Sequence, residues 1–112
     1  MTRAQVLANS RRWFDDGHYQ ALLKRRVAQP TASDQPGNNE VLKAYLVQEI
    51  APELTASGFD CQVFDNPVAG APPLMVARRI EAEGLPGVLT YGHGDVINGQ
   101  EAQWRAGLQP WQ

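Results

Sequence analysis

The apolar residues change their period near the middle of the chain, and that change limits the fold more than any other feature. Before it, Leu42, Leu46, Ile50 and Leu54 recur every fourth residue with Tyr45 beside the row, which is one buried stripe of an amphipathic helix. After Gly58, the residues Phe59, Cys61 and Val63 fall on one side of an alternating run, the period of a strand. Helices first and strands later suit an α/β layer better than a bundle or a sandwich.

The remaining elements follow from local chemistry. Thr2 with Gln5 three residues on has the form of a capping box, and Val6, Leu7, Trp13 and Phe14 follow at helical spacing, with Ser10 an imperfection in the stripe. Gly17 supplies a left-handed residue to end that helix. A short second helix over residues 19–28 places Leu22, Leu23 and Val27 together. Pro30, Pro36 and Gly37 make 29–39 a loop, and a third helix begins near Asn39. Pro52 lies inside that helix, so a kink or break is expected near Ile50. Gly58 is its expected cap. Three strands are expected after it: residues 59–64, residues 74–80, and the run Val88, Leu89, Thr90, Tyr91. A Pro/Gly loop over 66–73 and a turn over 81–87 separate them. The last run is nearly all apolar, as in a strand covered on both faces in the middle of an α/β sheet.

Composition narrows the function classes. The formal net charge of −2 offers no basic excess to displace counterions from a nucleic-acid backbone. With 43% hydrophobic residues and ten glycines the chain has the apolar content of a globular domain, and its 112 residues permit one. The lone Cys61 cannot form an internal disulfide. No stretch reaches the ~20 apolar residues of a membrane span. Arg3, Arg11 and Arg12 near the start come without an apolar signal core, so no signal peptide is expected and a cytoplasmic location is.

The stretch Gly92-His93-Gly94-Asp95-Val96 carries the chemistry. Ligands of open α/β sheets bind where strands emerge at their carboxyl ends. In extended chain, positions two apart face the same way, which puts His93 beside Asp95. A metal-ligating imidazole commonly has its other ring nitrogen held by a carboxylate. Gly92 and Gly94 permit close backbone approach. The same residues also describe an ordinary polar loop after a strand. They are not a dinucleotide fingerprint, since Ile97 stands where the third glycine belongs.

The run Val88-Leu89-Thr90-Tyr91-Gly92-His93-Gly94-Asp95-Val96, followed by Trp104 and by Gly107-Leu108-Gln109-Pro110-Trp111, resembles the first metal-binding motif of the dinuclear zinc metallopeptidases. That family includes aminoacylases, glutamate carboxypeptidases, acetylornithine deacetylases and cytosolic dipeptidases. Arg25-Arg26-Val27-Ala28-Gln29-Pro30-Thr31, Tyr45-Leu46 through Leu54, and Gly58-Phe59 resemble its earlier segments. The resemblance implies that residues 1–112 are the amino-terminal portion of a three-layer α/β/α catalytic domain. It implies that His93 ligates one of two zinc ions, with cobalt or another divalent metal an alternative, and that Asp95 is the acid acting beside it. Trp104, Pro110 and Trp111 become structural aromatics at a pocket rim. The implied substrate is a dipeptide or N-acyl amino acid cleaved at its amide bond. Nucleic acid and membrane are not implied as partners, and a homo-oligomer is compatible.

The chain departs from that pattern in two ways. Val96-Ile97-Asn98-Gly99 stands where many members have a proline, which leaves the substrate subclass open. The family's dimerisation domain, bridging carboxylate, further ligands and general base are not found after His93, where Glu101 is the only acid besides Asp95. The expectation is a fragment inactive by itself. Alternatives are a non-catalytic remnant serving as a binding or self-assembly module, or an unrelated small α/β domain in which the motif is a turn.

Other polar residues read as structural. His18 could pair with Asp15 or Asp16; Arg11-Arg12, Lys24-Arg25-Arg26 and Arg78-Arg79 read as solvated faces, as does Glu101. Cys61 reads as an inert thiol on an apolar strand face. Asp34 and Glu40 favour the start of the third helix.

Overall fold

The computed structural model describes residues 1–111, which fall into two compact units. One consists of Met1–Gln29 with the stretch from Glu101 onward, the other of Pro30–Gln100.

The first unit is a helical hairpin. Helix α1 spans Arg3–Asp15 and opens with both halves of the capping box: the Thr2 hydroxyl oxygen accepts from the Gln5 N–H at 3.3 Å, and the Thr2 N–H donates to Gln5 Oε1 at 2.7 Å. Gly17, at φ +80°, turns the chain into helix α2, His18–Val27. Aromatic rings cluster at the turn, with Tyr19 5.9 Å from Trp13 and 5.7 Å from Phe14 between ring centroids. The ring of His18 stacks on Trp13 at 6.4 Å, so packing rather than ion pairing places it. A 3₁₀ turn over Glu101–Gln103 belongs to this unit. Glu101 is exposed, as its reading as a solvated acid expects, and it accepts from the Trp111 indole at 3.1 Å.

The second unit holds the most buried residues, Thr31, Ala32 and Leu42. Helix α3, Asn39–Tyr45, runs without interruption into a π-helical turn, Leu46–Ile50, and then helix α4, Ala51–Ala56. The break expected near Ile50 takes the form of that π turn. The Ala51 N–H reaches back five residues to the Leu46 carbonyl, and Pro52 sits in the first turn of α4, where a missing N–H costs least. Leu42 is buried, and Leu46, Ile50 and Leu54 are half-buried, as the row predicts. Gly58, at φ +85°, ends α4 with two bonds, Gly58 N–H to the Thr55 carbonyl and Phe59 N–H to the Leu54 carbonyl, the Schellman pattern.

Two strands follow. Strand β1, Asp60–Phe64, pairs antiparallel with β2, Leu74–Arg78, in a register that sets Cys61 opposite Ala77 and Val63 opposite Met75. These four residues form the half-buried face, and α4 packs against β1. The Cys61 thiol lies 3.9 Å from the Ala51 carbonyl oxygen, a weak donor contact. Arg79 is not a bare surface cation: it pairs with Glu81 at 2.6 Å, donates to the Ser57 carbonyl, and lies 6.0 Å from the Phe59 ring centroid.

The fold is therefore mixed α/β, with helices preceding a two-stranded antiparallel sheet. The third expected strand is corrected. Residues 88–91 form neither strand nor helix, and Val88, Leu89 and Tyr91 are 89%, 97% and 81% exposed. A strand apolar on both faces needs cover on both, and no strand pairs with this run among the described residues. What remains of pairing there is one parallel bridge further on, Ala32 with Val96. No helix is long and apolar enough to cross a membrane among the described residues.

Candidate functional site

The loop after Pro30 and the segment around His93 hold each other in place. Asn38, just before α3, donates its side-chain amide to two carbonyls of that loop, Pro30 at 2.9 Å and Ala32 at 2.7 Å. The pinned loop presents the Thr31 carbonyl to the Val96 N–H at 3.1 Å, within the bridge between Ala32 and Val96. A Cβ added to Gly94 would lie 3.6 Å from the Tyr45 ring and 3.7 Å from Leu46, so the segment runs along the junction of α3 and the π turn.

His93 and Asp95 come together on this frame. His93 Nδ1 lies 3.2 Å from Asp95 Oδ1. An ionised carboxylate can only accept, so in this contact Nδ1 carries the proton and, in the neutral ring, Nε2 keeps its lone pair. The Ser33 hydroxyl donates to the other carboxylate oxygen, Asp95 Oδ2, at 2.6 Å. The two side chains differ in exposure, 73% for His93 and 37% for Asp95. The Tyr91 and His93 rings meet in a T-shaped arrangement, 5.1 Å between centroids with 74° between the planes. The Ser33 hydroxyl holds the Asp95 carboxyl below its ordinary range; partial burial opposes this, and the residue's own backbone N–H and His93 add to the lowering.

Sequence spacing anticipates the approach of His93 to Asp95. It misses Ser33 and Asn38. Ser33 lies 62 residues from Asp95, and no local pattern links them. Asn38 carried a partial signal, since an asparagine before a helix usually caps it; here the amide group donates to the preceding loop instead. Trp104, Pro110 and Trp111 belong to the other unit.

The donor chemistry suits a metal in part. An exposed imidazole with Nδ1 held by a carboxylate is the usual form of one ligand with its orienting acid. A protein zinc site takes at least three protein ligands. No group of three or more His, Cys, Asp or Glu placed to hold a metal occurs among the described residues. Among the described residues the arrangement is one exposed imidazole with one carboxylate at its Nδ1. Comparison with protein-family models, curated proteins and solved structures finds no match to the chain.

Proposed function

We propose that the chain is the amino-terminal part of a zinc-dependent peptidase or amidohydrolase domain, a three-layer α/β/α fold in which His93 is one metal ligand and Asp95 its orienting acid. The observation that carries this reading is the contact of His93 Nδ1 with Asp95 Oδ1 at 3.2 Å, which leaves Nε2 of an exposed ring as the free lone pair. In such enzymes the metal polarises the amide carbonyl and acidifies bound water. The other ligands and the proton-relaying carboxylate would come from outside these 112 residues. The rim role of Trp104, Pro110 and Trp111, the small peptide or acylated amino acid as substrate, and a cytoplasmic setting belong to the same proposal.

By itself, the chain should be inactive and a weak zinc binder. Zinc added to the purified chain should shift the backbone amides around His93 only at roughly millimolar levels, and His93→Ala should abolish those shifts. Binding at nanomolar affinity, dipeptide hydrolysis above that of zinc alone, or zinc shifts that survive His93→Ala would each reject the proposal.

A second reading rests on a separate observation. Val88, Leu89 and Tyr91 stand in solvent, and an uncovered apolar run invites another chain. On this reading the chain acts as a self-associating module without catalysis. Sedimentation that stays monomeric as concentration rises would reject it.

A further inference from the structure

The contact between His93 and Asp95 is not self-sufficient. More than a third of the Asp95 side chain is exposed, and a carboxylate held at one oxygen alone can rotate or turn toward water. Its second oxygen is taken by Ser33 at 2.6 Å, a short bond to a charged acceptor. The backbone keeps that donor in position. Ala32 and Val96 form the parallel bridge, so Ser33 and Asp95 are the immediate neighbours of the two bridged residues. Thr31 accepts from Val96 on the same rung, and Asn38 fixes the loop from behind through the Pro30 and Ala32 carbonyls. Five residues of one loop, Pro30, Thr31, Ala32, Ser33 and Asn38, thereby serve the position of one carboxylate.

We propose that Ser33 is a positioning residue for His93. By holding Asp95 Oδ2, it keeps Oδ1 on Nδ1, and so keeps Nε2 unprotonated and free to bind a metal. The proposal rests on the reading of His93 as a ligand. It adds to that reading a residue outside the His-x-Asp motif that sets the imidazole tautomer before any metal arrives.

The test uses the metal-free full chain labelled with ¹⁵N, at a pH where the ring ¹⁵N shifts themselves show both histidines neutral. Long-range ¹H–¹⁵N correlations report which ring nitrogen of each histidine carries the proton. His18, the only other histidine, serves as the internal reference. Wild-type His93 should be mainly protonated at Nδ1. Ser33→Ala should lower its ratio of Nδ1–H to Nε2–H about threefold, the effect of losing part of one hydrogen bond. Ser33→Thr should restore the ratio, and His18 should not respond. A hydroxyl that only tied the loop would change stability and leave the tautomer alone. An unchanged ratio in a folded Ser33→Ala chain overturns the proposal. If that variant does not fold, Ser33→Cys makes the same comparison, keeping the size and weakening the donor. The ligand reading fails separately: a tautomer controlled by Ser33 with zinc never reaching His93 would retain the positioning role and reject the metal.

Discussion

Asp95 accepts from Ser33 on one oxygen and faces His93 with the other, and both contacts favour its ionised form. A carboxyl with a lowered folded pKa adds stability above its unfolded value and loses it as pH falls through the folded value. Solvent reaches more than a third of the side chain, and screening keeps the gain within about 1 kcal/mol. Asp95→Asn should therefore weaken the chain slightly at neutral pH and flatten the acid limb of its stability curve. Urea midpoints measured from neutrality down to acid pH check this, and an unchanged acid limb would contradict it. Two glycines make a sharper contrast. Gly58 adopts a left-handed conformation at φ +85°, so Gly58→Ala should cost about 1–2 kcal/mol. Gly94 lies outside that region, and an added Cβ would make only ordinary contact with Tyr45 and Leu46. Gly94→Ala should stay within about 0.5 kcal/mol, read as a urea midpoint at unchanged slope. What the sequence made legible at this scale is short-ranged: Thr2 with Gln5, Gly17, Gly58, and His93 with Asp95. Ser33 was hidden because its partner is brought near only by tertiary folding.

Among the elements, the continuous helix from Asn39 to Ala56 separates what local chemistry decides from what it leaves open. Pro52 dictates that the ladder be interrupted one turn earlier. A kink, a break or a π turn would each satisfy that demand, and the sequence does not choose among them. The π turn keeps Leu46, Ile50 and Leu54 half-buried, so the interruption does not break the apolar row. Leu42 anchors the row with 5% exposure. Truncating a buried leucine costs about 2–5 kcal/mol, the removed atoms' transfer energy plus a cavity. Leu42→Ala should fall in that range and exceed Leu54→Ala, whose site is already partly open to water. Denaturant titration of both variants checks the order, and equal costs would mean that Leu42 is not the anchor. The run at 88–91 shows the opposite limit. Its composition states a need for cover on two faces and says nothing about which segment supplies it.

For the molecule as a whole, the surface left in water is the deciding quantity. Large apolar side chains stand in water in both units, Trp13 and Phe14 in the first and Val88, Leu89 and Ile97 in the second. No residue of the first unit is fully buried among those described. Exposed apolar surface of this kind can take cover from further chain or from another copy, and hydrogen exchange can locate where. Amides of β1 and β2 share a ladder and should be protected. Amides of 88–91 make no ladder and should exchange within about tenfold of free-peptide rates in dilute solution. If the run recruits a second copy, their protection should rise with concentration while that of β1 and β2 stays level. If it awaits further chain of its own, protection should appear in a longer protein and stay independent of concentration. Strong protection in a dilute monomer would show that the run already has its cover within these residues, and the case for an incomplete sheet would go with it.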